Sequence, residues 1–362
     1  MKIRVGLVGL GDAWEKRHRP ALRALADRFE VRAVCDQVRH RADLAAREFD
    51  AAAVDGFRVL AQREDLDAIL ILGTQWFAAL PILAACQSGK AVYFGTGLDL
   101  DVEQAEKIKE RVAEAGIAFM AEFPRRQAPA TLRLKELIAT SLGQPRLLFC
   151  HRRLPILDHQ NHTARLQARR STAQELVELV DWCRYVVGKE ACWVTGVVYE
   201  NRDEAVRADY QMMSLGFCEN GNPSDGPLAQ ISCGRYVPQR WQEAINYRPV
   251  ASLQVSCERG IAFVDLPSTL IWFDEAGRHQ ESLESERPVG EQLLTQFYRA
   301  VTSLVSKTCD LEDAYRALSI VEQARRSHRE GRRVELKQGI GDRDWGCESG
   351  IFRHGLLRSE HQ

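Results

Sequence analysis

No apolar run in the 362 residues approaches the ~20 that a membrane-spanning helix needs. The chain also lacks a charge excess of either sign: 49 basic residues meet 50 acidic ones, for a formal net charge of -1. Nothing in that balance advertises a nucleic acid or a membrane surface as partner. The 10 cysteines, scattered from Cys35 to Cys347, form no C-x-x-C pair and no regular framework. In a chain this long the pattern implies reduced, mostly buried thiols, and with them a cytoplasmic setting. There is no Walker loop and no G-x-S-x-G, which excludes the P-loop and the hydrolase elbow. Internal repeats and low-complexity linkers are missing as well. The opening Lys2-Ile3-Arg4-Val5-Gly6-Leu7-Val8 is too short for a secretory signal and is interrupted by Gly9, Gly11 and Asp12, so it reads as a strand.

What is present is an ordinary globular composition, 45% hydrophobic and 27% charged, in a chain longer than one core usually organises. Two domains are expected. Apolar strands over 3–10, 29–35, 68–72, 91–94 and 118–123 alternate with helical stretches, the pattern of a parallel sheet with right-handed crossovers. After Phe123 the rhythm changes. Helices are predicted over 130–140, 172–187, 290–305 and 311–329. Between 192 and 273 strand-like runs follow one another, which predicts a largely antiparallel open sheet covered by helices on one face.

The first strand ends in Gly9-Leu10-Gly11-Asp12-Ala13-Trp14, and a helix follows. A first glycine permits the tight turn, and a second lets backbone approach a pyrophosphate seated on the helix N-terminus. Asp36 ends the second strand, where a carboxylate accepts hydrogen bonds from ribose hydroxyls and repels a 2′-phosphate. The fold class expected is therefore α/β: a doubly wound Rossmann domain over 1–122, an α+β substrate and oligomerisation domain over 123–336, and a tail over 337–362 that either docks or is disordered. The cofactor expected is NAD or NADP, with NAD favoured by Asp36, although Arg39, His40 and Arg41 lie close behind. Thr74 and Gly95, after the third and fourth strands, complete the cofactor-binding set. Trp14 occupies the place of the motif's third glycine. An indole lying across the pyrophosphate position would block the cofactor.

With these features the chain resembles the glucose-fructose oxidoreductase / inositol dehydrogenase (Gfo/Idh/MocA) family over about 1–336. The resemblance rests on His18-Arg19-Pro20-Ala21-Leu22, Ser88-Gly89-Lys90-Ala91-Val92-Tyr93, Phe123-Pro124-Arg125-Arg126 with Pro129, Val180-Asp181-Trp182-Cys183-Arg184, Arg259-Gly260-Ile261-Ala262 and Leu311-Glu312-Asp313-Ala314. It implies NAD(P)-linked oxidation of a sugar or polyol hydroxyl, or the reverse, and a homo-oligomer built through the open sheet. The sequence departs from the family's catalytic motifs. Gly95-Thr96-Gly97 stands where the family has Glu-Lys-Pro, so Thr96 replaces the lysine that assists proton transfer. No histidine follows Gly73-Thr74-Gln75-Trp76-Phe77-Ala78. On the substrate-domain helix Asp181 is retained, but Glu178 takes the histidine position.

Two readings follow. One is an oxidoreductase whose proton-transfer group has been rearranged, with Glu178 as the base. The other is a non-catalytic relative that binds cofactor or sugar and oligomerises through its sheet. Arg126, Glu178 and Asp181 are the substrate-contact candidates, Arg126 being equally placed to bridge the domains as an ion pair. From His151 to Arg170 the chain carries His151, Arg152, Arg153, His159, His162, Arg165, Arg169 and Arg170 against the single acid Asp158. That segment is either a pocket for an anionic ligand, such as a sugar acid, or a solvated basic loop. Asp158, His159 and His162 match no metal-site spacing, and no metal is expected.

Overall fold

A computed structural model describes residues 1–11, 13–73, 77–95, 102–156, 162–200, 209–218, 225–238, 241, 243, 251–303 and 311–336. Asp12, Thr74 and Thr96, the Asp158–His159 pair, and the tail over 337–362 lie outside these residues. None of the helices described is long and apolar enough to cross a membrane.

The first sheet is built from β1 (Ile3–Val8), β2 (Phe29–Cys35), β3 (Ala52–Ala53), β4 (Ala68–Ile71), β5 (Ala91–Phe94) and β6 (Phe119–Ala121). All its pairings are parallel, in the order β3-β2-β1-β4-β5-β6. The expected doubly wound sheet is therefore present, with one added edge strand too short to leave a periodic signal. A π-helical turn, Trp14–His18, runs into α1 (Arg19–Ala24), followed by α2 (Arg39–Glu48), α3 (Phe57–Ala61), α4 (Leu80–Gln87) and α5 (Val102–Ala115).

The second part opens with α6 (Pro129–Leu137), β7 (Pro145–Ile156) and α7 (His162–Val187). It continues through β8 (Ala191–Glu200), β9 (Asp209–Phe217), β10 (Leu228–Pro238), β11 (Leu253–Cys257), β12 (Ile261–Asp265), β13 (Thr269–Asp274) and β14 (Gly277–Ser282). It closes with α8 (Val289–Thr302), α9 (Leu311–Glu330) and β15 (Val334–Glu335). Its nine strands form one sheet, β14-β13-β12-β11-β7-β10-β9-β8-β15, antiparallel except at the central β7–β10 pair. Side chains alternate as the pleat requires. Leu148 and Cys150 of β7 and Ala229, Ile231 and Cys233 of β10 are buried, in one core cluster with α7 and α9. The other face is open: Leu147, Phe149, Val197, Tyr199, Leu228 and Phe273 are all exposed.

Two particulars depart from the sequence expectation. First, α8 follows the second sheet in sequence but packs on the first. Leu293, Leu294 and Phe297 join the core of β1, β2 and β5, and the Phe297 ring contacts Phe29 and Tyr93. Gly290 makes this approach possible, since a Cβ there would lie 2.6 Å from the Arg17 carbonyl oxygen. The core thus does not divide at residue 122. Second, Cys192 and Cys218 are paired as a disulfide between the β8 and β9 ends, against the expectation of uniformly reduced thiols. The two sit at facing ends of an antiparallel strand pair, a proximity that spacing along the chain does not reveal. The six free cysteines among the described residues are buried or half-buried.

Candidate functional site

The site is assembled at the C-terminal ends of the first sheet's strands, where a doubly wound fold places its ligands. At the end of β1, Gly9 adopts φ 69°, the left-handed region that favours glycine. A Cβ on Gly9 would sit 2.4 Å from the Gly73 oxygen, and one on Gly11 would sit 2.1 Å from the Leu72 oxygen. Both glycines therefore let the turn lie directly against the end of β4. Trp14 is buried, joins the core cluster with Ala42, Ala45 and Ala46 of α2, and packs its ring on Phe49. The π-helical turn that starts at this residue carries both Trp14 and His18 inward. The indole is thus inserted beneath the turn, not laid across it, which removes the steric objection to a dinucleotide. Asp36 accepts hydrogen bonds from the backbone N–H groups of Leu10 (2.6 Å) and Val38 (2.9 Å). The carboxylate is fixed beside the turn with lone pairs to spare. Arg39 is tied to Asp43 and Asp55, and Arg41 donates to the Leu10 carbonyl, so neither is a loose cation. These residues fit a dinucleotide.

Beyond the turn lies a buried polar cluster that reading the chain did not single out. Glu122, just past β6, is almost wholly buried. Its Oε2 is 2.7 Å from His18 Nε2 and accepts a 2.8 Å hydrogen bond from the Tyr93 hydroxyl, and Arg17 pairs with Oε1. Burial alone would raise the proton affinity of this carboxyl. The His18 imidazole, then Arg17 and the Tyr93 hydroxyl, overcome that and hold it below the usual carboxylate range. The one sequence signal was a charged residue inside the apolar run 118–123. It resembles an ordinary strand end unless its partners are known.

Glu178, on α7, is partly exposed, with Arg125 pairing to it and to Glu175 (2.7 Å). Burial pushes the Glu178 carboxyl above its ordinary value; Arg125 opposes this and Glu175 reinforces it, with smaller influences from Arg17 and Glu122. Arg17 and Glu122 thus act on Glu178 only as the smallest of these influences. Arg126 and Asp181 are placed differently. Each is 1% exposed; Arg126 Nε donates to Asp181 Oδ2 at 2.6 Å, and its guanidinium lies 3.3 Å from Asp313 of α9. Arg184 joins the same group, 3.5 Å from both Asp181 and Asp313 and 2.7 Å from Glu190. This network ties the segment after β6 to α7 and α9, within the second part of the chain, and leaves Arg126 and Asp181 themselves almost wholly buried.

The described residues of the basic segment lie on a strand and a helix. β7 continues to Ile156 and α7 already begins at His162. Strand alternation also splits its first three basic residues. His151 lies on the open face, hydrogen-bonded to Ser232 (2.6 Å) and 3.4 Å from Arg153, whereas Arg152 is 4.0 Å from Glu175. Together with Arg125, whose charge Glu175 and Glu178 share, this leaves no concentrated positive pocket among the described residues. His162, Arg165, Arg169 and Arg170 fall on α7, but their side chains lie outside the described residues.

Residues 3–123 match the GFO_IDH_MocA oxidoreductase family with an NAD-binding Rossmann fold. Among curated relatives, inositol 2-dehydrogenase 3 of Saccharopolyspora erythraea is 28% identical over 184 residues, 50% of this chain and 54% of that protein. The galactose/lactose metabolism regulatory protein GAL80 of Saccharomyces cerevisiae is 28% identical over 149 residues, 38% of this chain and 34% of that one. The chain thus matches about half the length of the first relative and a third of the second. The aldose-aldose oxidoreductase of Caulobacter crescentus, solved with glycerol, superimposes with a TM-score of 0.78 at 16% identity, over 93% of this chain and 100% of that one. That likeness shows the same two-part fold.

Proposed function

We propose that the chain is a member of the Gfo/Idh/MocA oxidoreductase family, whose model its residues 3–123 match, and that it is an NAD-linked oxidoreductase acting on a sugar or polyol hydroxyl, with Glu178 handling the proton. The observation that carries this reading is Glu178 itself. It is a partly exposed carboxylate with raised proton affinity, and it stands at the position where the family's histidine is expected. A base works best when its pKa lies near the working pH, and such help contributes ~10²–10⁴-fold. The dinucleotide supplies the hydride acceptor or donor. Gly9 and Gly11 would hold its pyrophosphate and Asp36 its adenosine ribose, with Gly95 on the nicotinamide side. Glu178 takes the hydroxyl proton in the oxidation and returns it in the reduction, while Arg125 fixes its orientation. Asp36 favours NAD over NADP by repelling a 2′-phosphate. The pairing of Arg125 and Arg152 with carboxylates favours a neutral substrate over a sugar acid. The open face of the second sheet, with Leu147, Phe149, Val197 and Tyr199 exposed, supports a homo-oligomer.

The test is a fluorescence titration with NADH and NADPH, then a turnover screen over polyols, aldoses and sugar acids. NADH binding and turnover that falls at least 100-fold in Glu178→Gln are expected. Dinucleotide binding with no turnover on any substrate would favour the second reading, a binding protein without chemistry. The missing lysine and the similarity to a regulatory protein support that reading. Failure to bind either dinucleotide would overturn the proposal.

A further inference from the structure

Gly95 follows β5 and meets the Glu122 cluster directly. A Cβ on residue 95 would lie 3.0 Å from Glu122 Oε2, 3.0 Å from Leu72 Cδ2 and 3.3 Å from His18 Nε2. The Glu122 carboxylate thus fills, from the end of β6, the space into which a side chain at residue 95 would project from the end of β5. Residue 95 is the position at which the resemblance leads one to expect glutamate. The acid is missing from one strand and present on its neighbour, β5 and β6 being paired in parallel up to Phe94 and Ala121.

We propose that Glu122 is a positioning residue that takes over, from β6, the place of the glutamate missing at residue 95, and that, through the His18–Glu122–Tyr93 cluster, it fixes the Arg17 charge that acts on Glu178. The inference rests on Glu178 being the proton-handling group. Three observations support it. The carboxylate contacts all three neighbours at once, His18 and the Tyr93 hydroxyl through Oε2 and Arg17 as an ion pair through Oε1, although Oε1 itself has no hydrogen bond among the described residues. His18 Nδ1 and Arg17 Nε are buried and find no hydrogen-bond partner among the described residues, so the cluster keeps polar capacity unspent inside the protein. Arg17 is the one cation of this cluster that reaches solvent, with 27% of its side chain exposed. It comes from the N-terminal helical turn, a different element from the one that carries lysine in the family. Glu122 therefore sets where that positive charge stands relative to Glu178.

The experiment is a transposition. Gly95→Glu, Glu122→Gly and the double variant are compared by thermal melting, and the carboxyl titration of Glu178 is followed by carbon-13 NMR in each and in Glu122→Gln. Each single substitution should lower Tm, the first by crowding and the second by stranding His18 and Arg17. The double variant should recover at least half of the summed loss and keep the Glu178 midpoint near that of the parent. Glu122→Gln keeps the shape and removes the charge, so Arg17 is left uncompensated and the Glu178 midpoint should fall by about 0.5–1 pH unit. Additive losses in the double variant, or an unmoved midpoint in a folded Glu122→Gln, would overturn the proposal. Both readouts use the chain without dinucleotide. A failure to bind NADH would thus overturn the function proposed above and leave this result standing.

Discussion

Arg126 shows what one side chain does when burial and charge act together. Its guanidinium is sealed from water, pairs with Asp181 and Asp313, and lies over the rings of Phe123 and Tyr185 at 5.0 and 5.3 Å. Removing one partner of a buried pair leaves an uncompensated charge, which costs roughly 3–5 kcal/mol. Arg126→Ala should lose about that much in urea unfolding while Asp181 stays buried. Arg126→Lys should recover only part of it, because an ammonium cannot reproduce the two-pronged contact. Residues differ in how far the chain order announced them. The place of Asp36 beside the turn was readable because it depends on a strand end and a glycine turn, both local patterns. Glu122 was not, because its meaning comes from His18, more than a hundred positions away in the chain, and from an absent side chain at Gly95. Trp14 was identified correctly as an anomaly, but its direction depended on a π-helical turn that no residue spacing marks. The sequence also offered Arg126 two roles with equal claim, and it showed neither its burial nor its two carboxylate partners.

At the scale of elements, the clearest case is α8. Its apolar positions predicted a helix, and the helix is there, but periodicity says which side is buried and not against what. Phe297 is fully buried between Phe29 and Tyr93. Truncating a buried phenylalanine costs about 3–5 kcal/mol through lost burial and a residual cavity. Phe297→Ala should therefore lower the unfolding free energy by that amount. Protection of β1 and β2 amides in hydrogen exchange should fall with it, although Phe297 lies nearly three hundred residues further along the chain. Protection lost only in the second sheet would contradict the packing. Strand order within each sheet was beyond sequence reach for the same reason: the parallel β7–β10 pair joins strands separated by a long helix and two other strands. The extra hairpin β13–β14 was half visible, through the turn at Gly277 but not through the polar β14.

The molecule as a whole divides its surface unevenly. One face of the nine-stranded sheet carries α7 and α9, and the other exposes apolar side chains on the neighbouring strands β7 and β10, with more on β8 beyond β9. A partner subunit bringing the same face would bury them with the symmetry that most homo-oligomers use. Phe149→Arg places charge at the centre of this patch. Light scattering should show the parent at a multiple of the single-chain mass and the variant at the mass of one chain, with an unchanged far-ultraviolet circular dichroism spectrum. A variant that keeps the parent's mass would place the contact elsewhere. Composition anticipated two parts and an open sheet correctly, because alternating burial leaves a strong imprint on strands. It did not anticipate that the two parts share elements.

That sharing has a consequence in time. Chains leave the ribosome from the N-terminus, and domains generally fold as they emerge. Here the first sheet is complete in the chain by residue 121, yet one of its covering helices arrives only at 289–302. Until then Phe29, Tyr93 and the strands around them face water on that side. A late part of the nascent chain therefore finishes the oldest, and the half of the protein built on the first sheet is among the last to become whole.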